Sequence, residues 1–184
     1  MAQNKNFKEL LADVEAIVFD VDGVMTDGSI MPLPDGDFLR RYNAKDGYAL
    51  SYAIKHGYKV CIISGGFGSL LASRMQRLGV KNLYTNCMDK IKAIHEFAET
   101  EGVNLENVIY VGDDIPDLEC MRLVGLPVCP ADAASEIIEA SCYVSQFGGG
   151  KGCVRDIIEQ VLRAHGTWAL DSMGTISDNS VASR

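Results

Sequence analysis

Short apolar runs alternate along this chain with longer segments in which apolar residues recur at helical spacing. The apolar runs resemble strands that are buried on both faces of a sheet. Their alternation with helices predicts an α/β fold, a Rossmann-like parallel sheet flanked by helices. The predicted strands are 16–21, 59–64, 108–111 and 126–129, and the predicted helices are 48–56, 69–78, 90–101, 117–124, 133–140 and 154–164.

One segment, residues 28–42, interrupts this alternation. It contains Pro32, Pro34 and the dipeptide Asp35-Gly36, which suits a tight turn between antiparallel strands. We therefore predict a small β-hairpin flap that projects beyond the first strand. The other reading of this segment is an ordinary surface loop.

The chain has 184 residues, a length typical of one domain. Between Asp22 and Ser64 there is room only for the hairpin and one helix, and between Lys90 and Gly112 only for one helix and one strand, so no large cap domain fits. We predict a single domain over residues 1–165. Residues 166–184 are rich in small and polar side chains and are predicted to form a flexible or docked C-terminal tail.

Two carboxylates follow the first predicted strand. Asp20 and Asp22 are separated by one residue and precede Gly23. Ligands of open α/β sheets bind beyond the carboxyl ends of the strands. Unpaired acids at that position would be costly, and a divalent cation would compensate them. The fragment alone is also compatible with a loop or a helix cap.

A second acidic group follows the strand at 108–111. Gly112 turns the chain, and Asp113, Asp114 and Asp117 come before a helix. Capping of that helix needs only one carboxylate, so it explains part of the pattern. Hard oxygen ligands near a phosphate favour Mg²⁺ as the cofactor.

Two further elements suit a phosphate site. Ser64 and Gly65 end another predicted strand with a hydroxyl group and flexible backbone donors. Lys90 opens a helix and could bring its ammonium group to a phosphate. Neither element alone indicates a phosphate site. A single lysine on a helix, for example, usually faces solvent.

The order of these motifs resembles the haloacid dehalogenase superfamily of phosphohydrolases. The resemblance implies that Asp20 attacks phosphorus and that Asp22 serves as general acid and base. Ser64 and Lys90 would hold phosphoryl oxygens. It also implies a metal site formed by Asp20, Asp22 and Asp113, with Asp114 and Asp117 behind it.

Within the superfamily, the chain is similar to small members without a cap that hydrolyse 3-deoxy-D-manno-octulosonate 8-phosphate for lipopolysaccharide biosynthesis. Those enzymes are homotetramers whose neighbouring subunits cover the site. This likeness implies a sugar-acid phosphate as the small-molecule partner, bound by Gly65, Asn43 and Asp46, with Arg74 at its carboxylate. Members often carry a polar residue where this chain has Gly66.

Two alternatives remain open at this point. One is a phosphatase for sialic-acid-type nonulosonate 9-phosphates, against which Gly66 argues mildly. The other is a structural, oligomerising relative of the domains fused to nucleotide-sugar synthetases, against which the complete motif set argues.

Composition limits the remaining classes of function. The formal net charge is −8, which argues mildly against a nucleic-acid partner. The polar N-terminus lacks the apolar centre of a secretory signal, and no apolar run suggests a membrane partner. Six cysteines without a C-x-x-C pair suggest reduced, mostly buried thiols. We expect a cytoplasmic protein.

Overall fold

The fold is known from a computed structural model, which describes residues 6–169. A six-stranded parallel sheet forms its centre, in the order β5-β4-β1-β6-β7-β8, and β2 and β3 form a separate antiparallel hairpin. The strands are β1 (Ala16–Phe19), β2 (Met31–Pro32), β3 (Phe38–Leu39), β4 (Lys59–Ile63), β5 (Asn82–Tyr84), β6 (Val108–Val111), β7 (Leu126–Cys129) and β8 (Tyr143–Val144). The α-helices are α1 (Phe7–Leu10), α2 (Ala44–Lys55), α3 (Ser69–Leu78), α4 (Lys90–Glu101), α5 (Leu118–Leu123), α6 (Ser135–Ala140) and α7 (Cys153–Ala164).

The predicted α/β fold is confirmed, including the four central strands and the six helices. The largest difference is the start of α2, which lies four residues before the predicted one. Asn43 causes this difference, because its side chain accepts a hydrogen bond from the Lys45 N–H and caps the helix. Strands β5 and β8 were not predicted, because they are short edge strands without fully buried residues.

The helices cover both faces of the sheet. Consecutive residues of β1 point to opposite faces, so Ile17 and Phe19 pack in one apolar layer while Ala16 and Val18 pack in the other. The first layer includes apolar residues of α2 and α7, and the second includes residues of α4 and α5. Burial on both faces explains why the central strands are continuous apolar runs.

The predicted hairpin is confirmed, and one end of it is anchored within the domain. The buried Asp37 carboxylate accepts hydrogen bonds from the Ser69 hydroxyl (2.9 Å) and the Leu70 N–H (3.1 Å), at the start of α3. The opposite end of the hairpin is different: the exposed fraction is 52% at Ile30, 61% at Met31 and 50% at Leu39. The turn end of the hairpin is therefore anchored to α3, and the end away from the turn is an exposed apolar surface.

All six cysteines are free. Four are buried as expected, whereas Cys87 is half-buried and Cys142 is exposed. No helix in residues 6–169 has the length and apolar character needed to span a bilayer. The predicted tail falls mostly outside the described residues, but Thr167 and Trp168 contact the Tyr52 side chain.

Candidate active site

The candidate site lies at the carboxyl edge of the sheet, where three neighbouring strands end. Strand β1 pairs in parallel with β4 on one side and β6 on the other. Asp20 follows β1, Ser64 follows β4 and Asp113 comes after β6. The parallel pairing brings these residues, which are far apart in sequence, to one edge.

Three carboxylates form the centre of the site. One oxygen from each of Asp20, Asp113 and Asp117 lies within 4.8 Å of the others. Gly23 helps to make this packing possible: its φ is +95°, and a Cβ atom there would overlap the Asp113 carboxylate. The turn after Asp22 can therefore approach Asp113 only because residue 23 is glycine.

Lys90 supplies the positive charge in this cluster. Its Nζ atom donates to one oxygen of Asp20 and one of Asp117, at 2.7 Å each. The Tyr110 hydroxyl donates to the same Asp117 oxygen (2.8 Å), and the Asp113 N–H donates to the other (3.2 Å). Asp117 is thus occupied by protein donors, which suits a role in holding Lys90. Tyr110 was not predicted as a site residue, because a tyrosine within an apolar strand is typical of a core residue.

Burial and crowding of like charges change the acidity of the site. Burial and the neighbouring Asp117 carboxylate raise the pKa of Asp20 to about 8, although Lys90 opposes this shift. Burial, Asp117 and Asp114 raise the pKa of Asp113 to about 7. The excess of carboxylates over cations is therefore costly in the ion-free protein, and a divalent cation would relieve it.

The donors fit a hard divalent cation. Carboxylate oxygens of the buried Asp20 and the half-buried Asp113 lie close together, and such hard oxygen atoms are the ligands that Mg²⁺ prefers. Asp114 is arranged differently: its carboxylate accepts from the Ile115 N–H (2.8 Å) and starts the 3₁₀ turn Ile115–Asp117. Its predicted place behind the metal stays a prediction.

Asp22 lies beside the cluster and binds Arg40, a partner that was not predicted. Arg40, in the residue after β3, donates from Nε and Nη2 to the two carboxylate oxygens of Asp22 at 2.7 and 3.0 Å. No local pattern could reveal this pair, because it joins the hairpin to the turn after β1. Ser64 is also in place: it is buried, and its Oγ atom accepts from the Gly66 N–H (3.0 Å).

The predicted substrate-binding residues are distributed around this edge. Gly65 is exposed beside Ser64. Asn43 caps α2 and donates to the Gly150 carbonyl (3.4 Å), whereas the buried Asp46 carboxylate accepts from the Arg155 N–H (2.8 Å) at the start of α7. These contacts give both side chains a structural role, and contact with substrate stays a prediction for them.

Arg74 lies on α3 and faces α2. Its guanidinium group packs against Gly47, where a Cβ atom would overlap it, and over the Tyr42 ring at 5.6 Å. The Arg74 Nε atom and the Tyr42 hydroxyl are buried without a hydrogen-bond partner. Arg74 is half-buried and has one donor, Nε, without a partner, and its contact with a substrate carboxylate stays a prediction.

Comparison with known proteins agrees with this geometry. Residues 67–152 match the haloacid dehalogenase-like hydrolase family. The chain is 38% identical over 153 residues to the 3-deoxy-D-manno-octulosonate 8-phosphate phosphatase KdsC of Yersinia pestis, covering 83% of this chain and 82% of that protein. The fold is that of solved structures of such phosphatases.

Two of those structures contain metal ions. The Moraxella catarrhalis phosphatase, in complex with magnesium, phosphate and KDO, superposes with a TM-score of 0.85 at 26% identity, covering 91% of this chain and 97% of that one. The cobalt-bound Haemophilus influenzae enzyme gives 0.85 at 28% identity, with coverage of 91% and 99%.

This chain belongs to the haloacid dehalogenase-like hydrolases. It is a phosphomonoester hydrolase of that class. Within the class it is similar to the 3-deoxy-D-manno-octulosonate 8-phosphate phosphatases over most of its length.

The raised pKa values predict that Mg²⁺ stabilises the protein more at high pH. Between the ordinary aspartate pKa, 3.8, and about 8, the folded ion-free protein holds more protons on Asp20 and Asp113 than the unfolded chain. Its stability in chelator therefore falls as pH rises through this range. Mg²⁺ displaces these protons, so the gain in Tm at saturating Mg²⁺ should grow by about 5 °C from pH 5.5 to 8.

Thermal unfolding in EDTA and in Mg²⁺ across this pH range tests the expectation. Asp113→Asn should remove most of the growth with pH, and Asp35→Asn, at the exposed hairpin turn, should leave it intact. A gain in Tm that is the same at every pH would contradict it.

Proposed function

We propose that this protein hydrolyses 3-deoxy-D-manno-octulosonate 8-phosphate through a covalent phospho-aspartate on Asp20. The observation that carries the proposal is the Lys90 ammonium group between Asp20 and Asp117, beside Asp113 and at the same sheet edge as Asp22 and Ser64. A buried carboxylate held by a lysine, next to a cation site, is suited to attack a phosphate ester.

In the first step, an Asp20 oxygen forms a bond to phosphorus while the bond from phosphorus to the ester oxygen breaks. Asp22 gives its proton to the departing oxygen. In the second step, Asp22 takes a proton from water, which attacks phosphorus and releases Asp20 and inorganic phosphate. Ser64 and Lys90 hold the equatorial phosphoryl oxygens during both steps.

The same proposal assigns Mg²⁺ to Asp20, the Asp22 backbone carbonyl and Asp113. When bound, the ion would neutralise charge on the phosphoryl oxygens. Asp117 would hold Lys90 through the hydrogen bonds described above, and Asp114 would orient groups behind the metal. The magnesium and cobalt in the related structures support this choice of ion.

The substrate assignment is supported by the relatives and by Arg74. A lysine and a metal ion bind any phosphate ester, so discrimination must come from a group remote from phosphorus. A sugar-acid carboxylate matches the geometry of a guanidinium group, and the Nε donor of Arg74 has no partner within the protein. We infer a cytoplasmic role in lipopolysaccharide biosynthesis from this substrate.

Arg74→Ala should lower kcat/KM for the sugar-acid phosphate by about 10- to 100-fold, the worth of one charge-assisted contact. Turnover of p-nitrophenyl phosphate should hardly change, because that ester has no carboxylate. The measurement is phosphate release from both substrates. Arg77→Ala, on the same helix but exposed, is the control and should affect neither.

A panel of sugar phosphates assayed with the unaltered protein separates the alternatives. A higher kcat/KM for nonulosonate 9-phosphates would keep the mechanism and overturn the substrate. Absence of phosphate release from every sugar phosphate in the panel would overturn the proposed class of substrate. If Arg74→Ala lowers kcat/KM equally for the sugar-acid phosphate and for p-nitrophenyl phosphate, the role of Arg74 is to support the fold.

We also propose a homotetramer in which neighbouring subunits cover the site. Support comes from the exposed apolar part of the hairpin, Ile30, Met31 and Leu39, since an uncapped site with such a surface beside it suits assembly. Sedimentation equilibrium of the purified protein tests this, and a fully active monomer at micromolar concentration would contradict it.

A further inference from the structure

Arg40 is an enclosed cation that the mechanism above leaves unused. Its side chain is only 3% exposed, whereas the Asp22 side chain that it binds is 30% exposed. Both oxygens of Asp22 accept from this one guanidinium group, at 2.7 and 3.0 Å. Such a two-point contact fixes the plane of the carboxylate, which a single hydrogen bond would not do.

Besides Asp22, two contacts hold Arg40 itself in place. Its Nη1 atom donates to the Phe67 carbonyl at 3.3 Å, and its guanidinium carbon lies 5.7 Å from the centre of the Phe38 ring. The Phe38 and Phe67 rings meet edge to face at 5.5 Å. The hairpin and the loop after β4 therefore enclose the guanidinium group together.

Gly66 makes room for this arrangement. A Cβ atom built there would lie 2.5 Å from Arg40 Nη2, 2.9 Å from an Asp22 oxygen and 3.1 Å from Ser64 Oγ. Arg40, Asp22 and Ser64 thus face one small space, and the guanidinium group fills the volume that a side chain at residue 66 would take. A glycine at this position is a condition for the pair.

We propose that Arg40 is a positioning residue for Asp22, seated by Gly66, so that the anchored hairpin aims the acid-base carboxyl group at the ester oxygen. The proposal rests on the role of Asp22 given above. It makes the hairpin part of the catalytic apparatus of its own subunit.

A leaving-group comparison tests this role. Phenyl phosphate and p-nitrophenyl phosphate are similar in size, but only phenolate is a poor leaving group that needs a proton as its bond breaks. In Arg40→Met and Arg40→Lys, kcat/KM for phenyl phosphate should fall by about 100-fold, the effect of a misplaced catalytic group. The loss on p-nitrophenyl phosphate should stay within about threefold, because kcat/KM reports the first step and its leaving group departs unaided.

Arg41→Met is the matched control, since Arg41 is the next residue, is 80% exposed and pairs with Asp27 on the surface. It should leave the ratio of the two rates unchanged. Gly66→Ala should reproduce the selective loss of kcat/KM for phenyl phosphate with Arg40 still present. In the double variant with Arg40→Met, the loss should be smaller than the product of the two separate losses.

Equal losses on both esters in the Arg40 variants, or no loss, would overturn the proposal. A failure of the proposed function looks different. If the sugar-acid phosphate is not the substrate, the comparison of aryl phosphates still stands. If Asp22 is not the general acid, Asp22→Asn will itself lower kcat/KM equally for both esters.

Discussion

Asp20→Asn is expected to abolish turnover, with a fall in kcat of roughly a millionfold, comparable with removal of the nucleophile from other covalent hydrolases. The amide of Asn cannot attack phosphorus, but it has the shape of the Asp carboxylate and keeps one hydrogen-bond acceptor. The ion-free fold should not suffer, because the substitution removes one of three crowded carboxylates and leaves Asp117 to pair with Lys90. Phosphate release and thermal unfolding measure the two effects.

Asp35→Asn is a suitable control, since it makes the same chemical change on the exposed turn of the hairpin. It should retain full activity. Beryllium fluoride should be trapped at Asp20 in the unaltered protein and not in Asp20→Asn. Near-normal turnover in Asp20→Asn, or trapping at another residue, would exclude the covalent mechanism.

Lys90→Met should have the second largest effect, on both activity and stability. It removes the cation that binds Asp20 and Asp117 and leaves those carboxylates buried beside Asp113. Removing one partner of a buried ion pair costs about 3–5 kcal/mol. The loss should be largest in chelator at pH 8, and smaller at pH 5.5, where the raised pKa values of Asp20 and Asp113 let these groups be protonated.

Denaturant unfolding in EDTA at the two pH values measures this loss of stability. Mg²⁺ should recover part of it, and kcat should stay at least about 100-fold low because a phosphoryl ligand is missing. Lys92→Met, on the exposed face of the same helix, is the control. A variant of Lys90 that is as stable as the unaltered protein in chelator at pH 8 would show that the charges do not oppose one another as described.

The sheet was predictable because its central strands are buried on both faces, and burial leaves a continuous apolar run in the sequence. The same reasoning could place Asp20 and Asp113 together, since acids after parallel strands meet at one edge. Strand β5 could not be found in this way, because it lies at the sheet edge and its three residues are only half-buried.

The partners within the site were harder to predict. Arg40 is 18 positions from Asp22, and only the closed hairpin brings the two together. Tyr110 reads as core because its ring is buried, and only its hydroxyl reaches Asp117. The likeness to the small members without a cap predicts that Asp46 binds substrate, but it could not show that the Asp46 carboxylate accepts from the Arg155 N–H at the start of α7. Contacts made across the fold leave no local pattern.

The strand order has a consequence for synthesis on the ribosome. Strand β1, which carries the nucleophile, is made first among the sheet strands but lies between β4 and β6. Its second neighbour becomes available only when residues 108–111 have left the ribosome. Until then, one edge of an apolar strand is unpaired and open to other chains. Asp20 and Asp113 can therefore come together only after more than half of the chain has been made.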